Sequence, residues 1–151
     1  MKPTKLAAVI AVLSVASVAL AGVAGVAGAA SLSTKVSAKL TAKAEVPVQV
    51  VKNTKGTGSF SGTLNGRKLV WKLTFGKLTG PALAAHIHMG KAGKAGNVVV
   101  PLCAGSKCKS GVHGTATLTP AVLKAVKNGG AYVNVHTAKN PNGEIRGQIT
   151  P

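Results

Sequence analysis

Three observations predict an all-β fold, an antiparallel β-sandwich or Greek-key barrel with one short helix near residues 120–127. Apolar and polar residues alternate with period two in segment after segment from residue 36 onward. Turn clusters rich in Gly, Asn and Pro separate those segments, as at Asn65-Gly66 and Asn140-Pro141-Asn142-Gly143. Only one stretch, opening with Thr119-Pro120 and closing at Asn128-Gly129-Gly130, carries helix start and stop signals.

Residues 1–29 precede this pattern and read as an N-terminal signal segment. Lys2 and Lys5 give a positive start, an apolar stretch runs from Leu6 to Leu20, and Ala27-Gly28-Ala29 has the form of a signal-peptidase site. A signal peptide is expected, with an uncleaved anchor as the alternative. A short linker, 30–35, then leads into a single β-domain over 36–150.

In the first strand Val36, Ala38, Leu40 and Ala42 alternate with Ser37, Lys39, Thr41 and Lys43. Val46, Val48 and Val50 extend one face, and Pro47 implies an edge or bend. Phe60, Gly62 and Leu64 share the face of the next strand. Asn65-Gly66 then predicts a two-residue type I′ hairpin, which needs positive φ at both positions. The returning strand places Leu69, Trp71, Leu73 and Phe75 on one side, as packing residues. Over 83–89, Ala85, Ile87 and Met89 oppose Ala84, His86 and His88. The Gly90–Gly96 loop is not a P-loop, because no Gly-Lys-Ser/Thr ends it. Strands follow over 98–102, 112–118, 131–137 and 144–150. The last two pair best with His136 opposite Glu144, Asn134 opposite Arg146 and Tyr132 opposite Gln148. A one-residue slip would bury a charge.

Charge sets the limits on function. The chain has 19 Lys or Arg against 2 acids, Glu45 and Glu144, for a net charge of +17, and it has no Asp. A Ser-His-Asp triad, a carboxylate cage for Ca²⁺ or Mg²⁺ and a two-metal phosphoryl site are therefore excluded. The excess is almost all Lys, a point charge suited to nonspecific contact with anions, and no aromatic interleaving marks a nucleic-acid reader. Anionic cell-envelope polymers or an extracellular protein are the expected partners. Sequence-specific nucleic acid is not expected, and membrane contact is expected only through residues 1–29 where they stay attached. Lys91 and Lys94 in the glycine loop are candidate anion contacts.

Cys103 and Cys108, the only cysteines, are expected to form a disulfide in an exported protein, a local staple contributing about 2 kcal/mol.

Glu45-Val46-Pro47, Ala85-His86-Ile87-His88 with its glycine loop, Val98-Val99-Val100-Pro101-Leu102, Tyr132-Val133-Asn134-Val135-His136-Thr137 and Gly143-Glu144-Ile145-Arg146-Gly147-Gln148 follow one another along the chain. In that order they resemble a CHRD domain, the module first described in chordin and widespread in exported bacterial proteins. The resemblance spans residues 36 to 150. It implies an immunoglobulin-like β-sandwich or barrel, usually secreted, with no known enzymatic activity. The Cys103–Cys108 loop and the lysine excess depart from the family pattern.

His86 and His88 project to the same side of a strand, and His136 lies opposite Val133 and Val135, so all three are expected to face away from the core. Where the two strands neighbour each other, three imidazoles meet, with His113 as a candidate fourth, and Cu or Zn is the candidate cofactor. Tyr132, Asn134, Glu144, Arg146 and Gln148 complete that outward face, which a hydrogen-bond network could satisfy without metal. The pattern is similar to Cu/Zn superoxide dismutase by fold analogy alone, and the missing Asp argues against superoxide chemistry. The expected function is a noncatalytic binding or structural module of the cell envelope or extracellular space, with a metal protein as the alternative.

Overall fold

The computed structural model describes residues 32–47 and 55–151. The expected signal segment 1–29, part of the linker, and Val48 and Val50 lie outside the described residues. Within them the chain forms β1 (Thr34–Thr41), β2 (Thr57–Asn65), β3 (Lys68–Gly76), β4 (Ala82–Met89), β5 (Val98–Ala104), β6 (Val112–Thr117), α1 (Pro120–Lys127), β7 (Ala131–Thr137) and β8 (Ile145–Gln148). All pairings are antiparallel, in the order β5-β4-β7-β8-β1-β2-β3-β6. This single sheet curls into a nearly closed barrel, with a seam where β5 and β6 are not hydrogen-bonded to each other.

Period two places the core. Leu40, Phe60, Leu64, Leu69, Leu73, Ile87, Val133, Val135, Ile145 and Ile149 all turn inward and are buried. Each such side chain stabilises the barrel by about 1.5–3 kcal/mol relative to exposure. Helix α1 starts at its expected cap, where the Thr119 hydroxyl accepts from the Val122 amide, and buries Val122 and Val126. Cys103 and Cys108 form the expected disulfide, bridging the end of β5 to the connection into β6, and a disulfide fits an oxidising compartment.

Two local expectations change. The β2–β3 hairpin pairs Asn65 with Lys68, so its loop is Gly66-Arg67 rather than Asn65-Gly66. Only Gly66 has positive φ, at 57°, which fits a type II′ turn with glycine in the first central position. The second concerns β8, which begins at Ile145 rather than at Glu144 and is continued by a bridge between Ser37 and Thr150. Between β1 and β2 the chain makes a short 3₁₀ turn, Ala42–Ala44, and bends at a cis Val46-Pro47 bond.

Candidate metal centre

Strands β4 and β7 are neighbours, with His86 paired to Asn134 and His88 to Tyr132. That register sets His86, His88 and His136 on one face, where one ring nitrogen of each lies within 4.8 Å of the others. His86 Nδ1 and His136 Nε2 are 3.2 Å apart. Tetrahedral zinc with bonds of about 2.0–2.1 Å needs nitrogens about 3.3 Å apart, so this pair already has a chelating separation.

Backbone carbonyls fix the tautomers. His88 Nδ1 lies 3.0 Å from the Gly96 carbonyl, and His136 Nδ1 lies 3.0 Å from the Pro141 carbonyl. A carbonyl only accepts, so both Nδ1 atoms carry protons and both Nε2 atoms keep lone pairs. His136 Nε2 receives the proton of His86 Nδ1. His88 Nε2 is buried and has no hydrogen-bond partner among the described residues. Burial first, and the neighbouring imidazoles second, lower the pKa of His86. Burial is also the largest cause at His88 and His136, where it outweighs the carbonyl hydrogen bonds. Neutral imidazoles are the form that binds metal.

The polar face departs from expectation in being covered rather than outward-looking. Tyr132, Asn134 and Arg146 are buried, as is His88 at 8% exposure, while His86 and His136 are half-buried. The cover is the glycine loop after β4. Arg146 donates to the carbonyls of Lys91 and Lys94, Gln148 donates to the Gly90 carbonyl, and the Gly96 amide donates to the Tyr132 hydroxyl. Lys91 and Lys94 thus act on this face through their backbone oxygens, with their side chains exposed. The Tyr132 ring stacks on His88 with centroids 4.8 Å apart, and the Arg146 guanidinium lies 3.4 Å from the Tyr132 centroid. This sandwich of cation, phenol ring and imidazole holds His88 in its orientation.

Two other expected members are elsewhere. His113 lies on β6 opposite Lys72 of β3, at the far end of the sheet order from β4, and does not join the cluster. Glu144 precedes β8, so strand alternation does not govern it, and its carboxylate turns to the opposite side. There it accepts from the Thr79 amide and hydroxyl and from the Thr137 hydroxyl, each at 2.6 Å, and from Asn140 Nδ2 at 2.9 Å. Burial raises its pKa, but these hydrogen bonds outweigh it and hold the carboxyl below its usual range. Thr79 carried no sequence signal, and Thr137 and Asn140 read only as a strand end and a turn residue, because the segment bearing Thr79 meets them only in the folded chain.

The register Tyr132–Gln148 and Asn134–Arg146 is the expected one. It places Asn134 against Glu45, whose Oε2 accepts from Asn134 Nδ2 at 3.2 Å. Glu45 Oε1 and Asn134 Oδ1 are buried without hydrogen-bond partners among the described residues. Burial pushes the Glu45 carboxyl up to about 7, against the lowering effects of Asn134 and Arg146.

A family model for the CHRD domain matches residues 36–149. The chain belongs to the CHRD domain family. The match takes in every strand from β2 to β8 and most of β1, so all three clustered histidines lie inside the CHRD domain. Comparison with curated proteins and with solved structures finds no match.

Proposed function

We propose that this CHRD protein is an exported, noncatalytic binding module whose ligand is a transition-metal ion, Cu or Zn, held by His86, His88 and His136. The observation that carries the reading is the geometry: three imidazoles from two adjacent strands bring one nitrogen each within 4.8 Å, two of them oriented by backbone carbonyls. Outer partners of this kind are what metal-bound histidines use to fix ring and tautomer. Binding requires only that the His86 proton move from Nδ1 to Nε2. Half-burial of His86 and His136 leaves an entry path, and three nitrogens leave a position for water. Glu144 is buried in its own hydrogen-bond network, which supports a structural role over acid–base chemistry for it. The disulfide and the family support export.

Calorimetric titration of Cu²⁺ and Zn²⁺ into the purified protein, His86→Ala and His136→Ala tests the reading. One ion per chain is expected, with affinity at least a hundredfold lower in each variant. Equal, weak binding by all three proteins would leave the cluster as a hydrogen-bond network that fixes strand order.

A further inference from the structure

On the side of the barrel formed by β1, β2, β3 and β6, the outward residues, together with Val36, Gly62, Trp71, Gly114 and Pro151, line a shallow groove of about 730 Å³. Two rows cross its four strands. One runs through Lys35, Thr63 and Val70, and the next through Ser61, Lys72 and His113. All six side chains are exposed, and Val70 at 49% is one of the larger apolar groups left in solvent.

The side-chain charge of this face is one-sided for a structural reason. Glu45 and Glu144, the protein's only acidic side chains, are 2% and 0% exposed, so neither reaches the surface to offset a lysine. Lys35 and Lys72 stand two strands and one alternation step apart, with backbones separated by about 12 Å. A single small anion would have to hold both ammoniums together against their repulsion, whereas a chain bearing charges in succession meets each separately.

We propose that this groove binds an anionic glycan chain. Lysines supply charge complementarity, Ser61 and Thr63 offer hydroxyls that donate and accept toward sugar hydroxyls, and Val70 offers an apolar contact to the C–H face of a sugar ring. Nucleic acid fits the groove less well. Trp71 borders the groove but is only 6% exposed, leaving little ring for a base to stack on, and among the described residues no arginine lines the groove, so forked phosphate contacts are missing. The site is independent of the histidine cluster.

The test is equilibrium binding of alginate, a carboxylated glycan, to the purified protein at low salt. Lys35→Gln with Lys72→Gln should weaken binding at least tenfold. Lys124→Gln with Lys127→Gln on α1, an equal loss of charge, should change it less than twofold. Ser61→Val with Thr63→Val should weaken it about fivefold with charge unchanged, and neutral dextran should not bind. Equal losses from the two lysine pairs would overturn the proposal, since net charge alone would then explain retention. Tighter binding of single-stranded oligo(dT) than of alginate, with the same sensitivity to Lys35 and Lys72, would overturn it in favour of nucleic acid.

Discussion

Gly96→Ala should both destabilise the protein and loosen the histidine cluster. A Cβ at residue 96 would coincide with the Met89 carbonyl, a backbone atom at the end of β4, so the loop over the polar face must lift. Lifting it removes the Gly96 carbonyl from His88, the Gly96 amide from Tyr132, and the Lys91 and Lys94 carbonyls from Arg146. Neutral hydrogen bonds net about 1 kcal/mol and those to a charged group about 1.5–3 kcal/mol. With water recovering part of that loss, a destabilisation of about 3–5 kcal/mol is expected, or a fall in Tm of about 10–20 °C for a domain of this size. Urea and thermal unfolding followed by circular dichroism would read the stability. Loss of the carbonyl that orients His88 should lower Cu²⁺ or Zn²⁺ affinity about 10–100-fold in the same samples. A variant within 0.5 kcal/mol of the parent would refute the reasoning, because it would mean the loop is not seated on Tyr132 and Arg146 in solution.

Two further outcomes concern the buried acids. Glu144→Gln cannot satisfy all four donors, since its amide must face either the Thr79 amide or Asn140, and a loss of about 2–4 kcal/mol at pH 7 is expected in urea unfolding. Because the folded pKa of Glu144 is lowered, its contribution is present above the ordinary carboxylate range and is lost as pH falls below it, so the variant should lack that part of the acid decline. Glu45 has the opposite sign. Its folded pKa of about 7 lies above the ordinary 4.5, so the parent loses stability as pH rises between those values, by up to about 3 kcal/mol. Glu45→Gln should gain on the parent across that window and level off above it, and parallel pH profiles for the two proteins would sink this account.

Alternation made the fold readable. Val133, Val135, Ile87 and Leu73 needed only their parity to be placed inside, and Thr119-Pro120 and Gly129-Gly130 needed only local chemistry to bound the helix. The pairing of β7 with β8 was legible because a slip would have buried Arg146 in the apolar core. Parity also placed His86, His88 and His136 on one face, but it could not show which strands are neighbours or what lies over that face. Burial of Tyr132, Arg146 and His88 comes from the Gly90–Gly96 loop, whose seat depends on carbonyl directions that no residue type encodes. His113 was misplaced because β6 pairs with β3 and with neither β4 nor β7, a long-range pairing that no local pattern shows. Glu144 was misplaced because parity ends where the strand does.

Among the described residues, the seam between β5 and β6 leaves the barrel with two free borders instead of none. Such borders are where a foreign strand can add, and proteins commonly blunt them. Pro101 deprives β5 of one amide donor, and the cystine ties the end of β5 to the segment that leads into β6. Reducing that cystine would leave the histidine cluster's own strands paired while loosening a junction at which the cylinder can unroll, so unwanted self-association should start there.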